Sequence, residues 1–267
     1  MRKILAIGLS MVMILSFTAC GNTGKKTSKD NGKVLTVGFD AEYPPYGYMD
    51  QESGEYVGFD LDLAEKVCEM EGWELEKKPI NWDTKDTELN SGSIDCIWNG
   101  FTINGRENDY EWSEPYINNT QVIVVADNSG IITLQDLKDK TVGVQAASAA
   151  EALFAEDGAQ VELGKTFKAL NPFSDYNTAF TELQSGSIDA LAIDIGVAKY
   201  QLKERGEGFV ILDEQLNSEQ YGVGMKKGNQ ELCEIINKDL KKLNADGTVE
   251  ELAKKYDIDP AMICIGE

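Results

Sequence analysis

The chain has 267 residues, 42% of them hydrophobic, with 25 basic residues against 46 acidic ones and no histidine, for a formal net charge of −21. That length exceeds the commonest single-domain size and fits two domains of ordinary dimensions, each with a core of its own. The acidity speaks against nucleic acid and anionic lipid as partners, and the missing histidines exclude most Ser/His and Cys/His nucleophile arrangements.

Residues 1–19 read as a signal peptide. Arg2 and Lys3 supply the positive start, Ile4 to Phe17 an apolar run shorter than the roughly 20 residues of a membrane span, and Thr18 and Ala19 small residues before Cys20. Phe17-Thr18-Ala19-Cys20-Gly21 resembles a bacterial lipobox, so Cys20 is expected to carry lipid (palmitate) as the first residue of the mature chain. The polar stretch over 20–32 then serves as a flexible tether. Removing residues 1–19 takes away two basic residues and no acidic one, leaving a formal charge of about −23.

Leu35 to Phe39 is a first strand, followed by a loop over Asp40 to Tyr48 that Pro44 and Pro45 stiffen, pinning Tyr43 and Tyr46. Tyr56-Val57 between Gly54 and Gly58 reads as a turn-rich hairpin, and Asp60 to Met70 places Leu61, Ala64, Val67 and Cys68 on one helical face. Trp73 to Pro79 is a short strand, Trp82 opens a loop, and Asp83 to Leu89 is a helix running into the octet Glu88-Leu89-Asn90-Ser91-Gly92-Ser93-Ile94-Asp95. The octet returns almost unchanged as Glu182-Leu183-Gln184-Ser185-Gly186-Ser187-Ile188-Asp189. Each copy reads as a helix end closed by a left-handed glycine, then a buried strand: Ile94 to Trp98, and Ile188 to Ile195. Two such units suggest two α/β lobes built on one plan.

Between the copies, Asn118 to Ala126 with its apolar run Val122 to Val125 reads as a crossing strand, and Asp127 to Gly130 marks a change of composition. Leu134 to Lys138 is a helical turn capped by Thr133, Val142 to Val144 a strand, and Ala147 to Glu151 opens a helix whose free N–H groups suit a carboxylate. After the second copy come strand Phe209 to Leu212, a second crossing at Tyr221 to Met225 near Glu219, and helices around Leu232–Leu243 and Val249–Tyr256. Two crossings imply one lobe inserted into the other: 33–122 with 221–267, and 123–220. A double connection permits hinge closure over a ligand. Cys68 and Cys96 read as small core hydrophobes, Cys233 and Cys264 stay open, and no metal-ligand spacing or cofactor motif occurs.

Ligands of open α/β sheets bind at the carboxyl ends of strands. The first repeat strand is followed by Asn99, Gly100, Phe101, Thr102 and Arg106, and the second ends on Asp194. One lobe offers a cation and the other an anion. A zwitterion held between them is the simplest ligand that needs both.

Several motifs, in this order, resemble the solute-binding proteins of polar-amino-acid ABC importers, solute-binding protein family 3. They are Tyr43-Pro44-Pro45-Tyr46, Val57-Gly58-Phe59-Asp60-Leu61-Asp62-Leu63-Ala64, Ser91-Gly92-Ser93-Ile94-Asp95, Phe101-Thr102-Ile103, Trp112-Ser113-Glu114-Pro115-Tyr116, Leu137 to Val144 and Ala245-Asp246-Gly247-Thr248. The resemblance implies a two-lobed periplasmic-binding-protein-like (Venus-flytrap) α/β fold, with two doubly wound lobes joined by two crossing segments. It implies that Arg106 pairs with a ligand α-carboxylate and Asp194 with its α-ammonium. It places Asn99, Gly100 and Thr102 around the head group, Ser148 at the carboxylate clamp, and Tyr43 and Trp82 on either side of the ligand. Arginine suits its role because its planar fork gives two parallel bonds to a carboxylate.

The chain departs from the family in two places. One residue is missing between Thr102 and Arg106, so Arg106 must reach from a tightened turn at Gly105, and Ala147 and Ala149 stand where a glycine and a second hydroxyl are usual. Trp98 and Phe101 are expected in the core, and Asp40 and Glu42 as a cap and a solvated charge or as selectors of a cationic side chain.

The resemblance implies a lipid-anchored, monomeric receptor on the extracytoplasmic face of the bacterial membrane that hands a polar L-amino acid to a permease driven by a separate ATPase. It is not expected to be an enzyme. With no second basic residue at a matched pocket position, acidic amino acids are the least expected ligands. The other classes on this fold are a cyclohexadienyl dehydratase-like enzyme, with Glu42 or Glu151 as acid, and a ligand-sensing module for a partner receptor.

Overall fold

The computed structural model describes residues 32–266; the signal peptide, Cys20 and all but the last residue of the tether lie outside the described residues. The first lobe is built on a sheet in the order Glu74–Pro79, Val34–Phe39, Cys96–Ile97, Gly224–Met225, Glu111–Trp112, the first three parallel and Gly224–Met225 antiparallel to both its neighbours. The second has the order Ala169–Phe173, Thr141–Gln145, Ala190–Asp194, Ile117–Ala126, Phe209–Ile211, with Asn217–Tyr221 also paired to Ile117–Ala126. Each lobe therefore has a parallel three-stranded heart, as helix-linked crossovers require. A small sheet of Glu42–Tyr43, Gly47–Met49 and Tyr56–Val57 stands beside the first lobe.

The repeated octet does the same physical work in both lobes. Helices Lys85–Ser91 and Tyr176–Ser185 end at Gly92 and Gly186, with φ of 77° and 78°. The repeat isoleucine then packs on a strand glycine. A Cβ on Gly38 would lie 2.4 Å from Ile94 Cδ1, and one on Gly143 2.5 Å from Ile188 Cδ1. The repeat aspartate locks the neighbouring strand: the Thr36 N–H donates to Asp95 Oδ2 and the Thr141 N–H to Asp189 Oδ2, each at 2.8 Å. The aspartate N–H returns to the same threonine's carbonyl at 2.8 Å in both cases. Each lobe so delivers one strand end to the space between them.

Helix Phe59–Glu71 buries Leu61, Ala64, Val67 and Cys68, as the spacing predicts, and Trp98 and Phe101 are fully buried in the core. Helices Gln230–Ala245 and Thr248–Lys255 close the chain. Cys68, Cys96 and Cys233 are buried free thiols, and Cys264 is buried too.

Four expectations shift. The lobes do not divide at 122/123, because Ile117–Ala126 pairs over its whole length with strands of the second sheet and Asn217–Tyr221 joins it there. The chain changes sheet at 113–116 and again at 222–223 instead. The polar first half of that strand hides its pairing from a reading of apolar runs. The first repeat strand shrinks to Cys96–Ile97, since the chain bends where Asp60 Oδ2 takes the Gly100 N–H at 2.6 Å and Gly100 adopts φ 53°. The second repeat strand stops at Asp194, and Ile195 already belongs to helix Ile195–Arg205. Trp82–Thr84 is a 3-10 turn, not a loop, and it delays the following helix to Lys85.

The lobes are closed on one another. Gln145 Nε2 donates to Asp40 Oδ2 at 2.5 Å, Asn177 bonds Glu42, and Tyr43 packs on Tyr176 with ring centroids 5.9 Å apart.

Candidate functional site

A continuous line of contacts joins the two strand ends. Arg106 Nη1 donates to the Thr102 carbonyl at 3.3 Å, and Thr102 Oγ1 donates to Glu219 Oε1 at 3.1 Å. The side-chain amides of Asn119 and Gln121 then each bridge Glu219 Oε1 and Asp194 Oδ1, all four bonds at 2.8 Å. Tyr221 O–H adds a bond to Asp194 Oδ1 at 2.5 Å. Arg106 and Asp194, from different lobes, thus face a single seam.

At its cationic end, the Ala147 carbonyl accepts from Arg106 Nη2 and from Lys85 Nζ, each at 3.2 Å. Ala147 stands in the left-handed region at φ 56°, a strained position for a residue with a Cβ, where the resembled family has glycine. Gly105, at φ 81°, makes the tight turn that the shortened Thr102–Arg106 spacing demands. Ser148 Oγ accepts from the Glu151 N–H at 3.1 Å, and Glu151 Oε2 accepts from the Ala147 N–H at 2.6 Å. The start of helix Ala149–Leu153 therefore already holds a carboxylate of its own.

Burial governs the ionisation of the seam. It pushes the Asp40 carboxyl up to about 6, that of Asp60 to about 7 and that of Glu219 to about 8, where the Asp194 charge adds to the rise. Asp194 is raised too, again by burial. Burial first, and then the Arg106 charge, brings Lys85 down to about 8.

A carboxyl whose folded pKa exceeds its unfolded value binds more protons when folded, so it penalises folding above its folded pKa and releases that penalty as pH falls. Asp40, Asp60 and Glu219 all act in this direction between about pH 8 and pH 4, and Lys85 acts only above about pH 8. The thermal midpoint of the ligand-free protein is expected to rise by several degrees from about pH 8 to about pH 5.5 in calorimetry. A midpoint that falls over this range would contradict the assignment.

Of the residues expected at the site, Tyr43, Trp82, Asn99, Thr102, Ser148 and Asp194 are buried and Arg106 is half-buried. Gly100 is present, but its N–H is committed to Asp60 and is no donor for a ligand. Asn99 Oδ1 accepts the Asp40 N–H at 3.0 Å, and its Nδ2 is buried without a partner. Trp82 packs edge-on against Phe101, 5.4 Å between centroids. Lys85, which sequence reasoning did not single out, is 4% exposed and shares the Ala147 carbonyl with Arg106. Glu42 is exposed, and Glu151 Oε2 is held by the Ala147 N–H.

Glu219, Tyr176 and Tyr221 were not legible as site residues. Glu219 and Tyr221 are the buried positions of Asn217–Tyr221, two residues apart, a period-2 signal that could have marked them as inward. Tyr176 sits in the first turn of its helix, and its hydroxyl is buried without a partner.

Two cavities are lined in part by residues expected at the site. One of about 500 Å³ is lined by Lys85, Arg106, Ala147, Ser148 and Glu151 among others. The second, about 420 Å³, is lined by Asp40, Glu42, Glu88, Asp175 and Trp82. A third, of about 390 Å³ between helix Ile195–Arg205 and residues 254–262, contains none of the expected site residues. Among the described residues no helix is long and apolar enough to cross a membrane.

The sequence profile described as bacterial extracellular solute-binding proteins, family 3, matches residues 35–258. The arginine-binding extracellular protein ArtP of Bacillus subtilis (strain 168) is 32% identical over 263 residues, 96% of this chain and 98% of the relative. The crystal structure of an ABC uptake transporter substrate-binding protein from Streptococcus pneumoniae with bound histidine superposes with a TM-score of 0.79. It is 35% identical and spans 84% of this chain and 92% of its own. An ancestral amino acid-binding protein described as a precursor of cyclohexadienyl dehydratase has a TM-score of 0.74 and 32% identity over 84% of this chain and 95% of its own, so the fold also leads to an enzyme.

Proposed function

Because the chain belongs to the bacterial extracellular solute-binding proteins of family 3, we propose that it is the extracytoplasmic binding component of an ABC importer that closes two lobes on one polar L-amino acid. In this reading lipid on Cys20 anchors a monomer to the outer face of the membrane, and a permease with its own ATPase receives the cargo. The observation that carries the reading is the seam itself: a cation from one lobe and a buried carboxylate from the other, joined through Thr102, Glu219 and two shared amides. Arg106, helped by Lys85 and the Ser148 hydroxyl, takes the α-carboxylate; Asp194 and Thr102 take the α-ammonium. Asn99 offers its unpartnered amide, Gly100 shapes the strand end, and Tyr43 and Trp82 flank the ligand.

The side chain of the ligand is cationic in this reading. The cavity beside Trp82 has four carboxylates, Asp40, Glu42, Glu88 and Asp175, of which only Glu88 has a salt-bridge partner among the described residues, Lys78 at 3.3 Å. A cation there would also relieve the buried Asp40. A thermal-shift screen of the twenty amino acids plus ornithine, citrulline and cystine tests both parts. Arginine, lysine and ornithine are expected to raise the midpoint most, and Asp40→Asn to reduce their advantage over citrulline about tenfold in affinity. A larger shift with neutral amino acids would end the cationic preference and leave capture standing. No shift with any of them would end the capture reading.

A further inference from the structure

Asp194 and Glu219 are two carboxyl groups, 3% and 4% exposed, that share the same two amide donors through one oxygen each. Neither takes part in a salt bridge among the described residues. The groups around them are hydroxyls and amides: Asn119 and Gln121 from strand Ile117–Ala126, Tyr221 from its antiparallel neighbour, Thr102 from the first lobe, Tyr43 and Tyr46 from the segment at Pro44 and Pro45, and Tyr176 from its helix. Asn119 Oδ1 and Gln121 Oε1 are buried and accept nothing. The Tyr46 and Tyr176 hydroxyls are buried without a partner as well, so the cluster holds neutral polar groups to spare and, among the described residues, no cation in salt-bridge contact with either carboxyl. Two like charges sharing such a site cannot both ionise without a cation between them.

We propose that Asp194 and Glu219 act as one pair that shares a single proton in the ligand-free protein, and that the ligand's ammonium displaces this proton when it binds. Glu219 thereby becomes a second ammonium-binding residue, supplied by strand Asn217–Tyr221 of the second lobe. The balance is simple: the pair goes from one negative charge to two, the ammonium keeps its three protons, and the displaced proton passes to the buffer. Burial, which favours the protonated form of both groups, agrees with this arrangement. The inference rests on the amino-acid capture proposed above.

Isothermal titration calorimetry near pH 7, in phosphate and in Tris, tests it with the amino acid giving the largest thermal shift, L-arginine on the present reading. The two buffers differ in their heat of ionisation, so the difference in apparent binding enthalpy counts protons. About one proton released per ligand is expected, with affinity falling close to tenfold from about pH 7 to about pH 6. Glu219→Gln, which keeps the size and one acceptor, is expected to bind with little proton release and a flat pH profile. Wild-type binding with equal heats in both buffers overturns the pair while capture stands. No thermal shift with any amino acid removes capture, and the role of the pair with it. The wild-type buffer comparison decides the matter even if the variant folds poorly.

Discussion

Arg106→Ala is expected to weaken amino-acid binding by roughly a hundredfold to a thousandfold, about 2.7–4 kcal/mol, and to lower the thermal midpoint of the ligand-free protein by no more than a few degrees. The large effect follows from the proposed role. A carboxylate taken out of water and then deprived of its bidentate partner keeps its desolvation cost and loses its compensation. The small effect follows from what Arg106 does within the protein. It bonds two backbone carbonyls, Thr102 at 3.3 Å and Ala147 at 3.2 Å, and lies 5.3 Å from the Phe101 ring centre. Lys85 still serves the Ala147 carbonyl when Arg106 is gone. Arg106→Lys should recover part of the binding, because it restores charge and not the planar fork. Calorimetric affinities set beside thermal midpoints check the split. A variant that binds within about threefold of wild type would remove Arg106 from the site.

Gly58→Ala is expected to be a strongly damaging single-methyl change, costing about 3 kcal/mol or more and lowering the midpoint by roughly 6–12 °C. Gly58 precedes helix Phe59–Glu71 with φ 144°. A Cβ there would stand 2.2 Å from the Tyr46 carbonyl oxygen, 2.5 Å from its carbon and 2.8 Å from Gly47 Cα, all backbone atoms. No rotamer change relieves such a clash. The backbone of Tyr46 and Gly47 must move, and with it the Asp60 N–H bond to the Tyr46 carbonyl and the Asp60 carboxylate that holds Gly100 at the seam. Binding should therefore weaken together with stability. Gly54→Ala is the control: its φ of 73° makes alanine unfavourable, but nothing lies within 4 Å of the added methyl, so only about 1 kcal/mol is expected. Equal losses in the two variants, measured by thermal or urea unfolding, would contradict the close-approach argument.

The elements that were legible are those whose cause is local. Gly92 and Gly186 announce helix ends because only a left-handed residue closes the last turn at no steric cost, and both are found there. The apolar spacing of helix Phe59–Glu71 predicts its buried face because one helical period places those side chains on one stripe. Asp194 stood out because a carboxylate at the end of an apolar strand needs a partner. The octet repeat pointed to two lobes of one design, although the locking of Thr36 by Asp95 and of Thr141 by Asp189 appears only when the strands lie side by side.

What the sequence by itself determined, then, is the two-lobed α/β plan and the two strand ends that face each other, because helix termini, apolar periods and a solitary buried charge are properties of short segments. What tertiary structure alone decided is the company each charge keeps. Lys85 reads as a helix-start lysine until the Ala147 carbonyl of the other lobe comes within 3.2 Å of it. Glu219 reads as a polar residue beside a crossing until Asn119 and Gln121, roughly a hundred positions earlier in the chain, tie it to Asp194. Electrostatic free energy depends on distance through space and on the exclusion of water, and neither quantity is written along the chain.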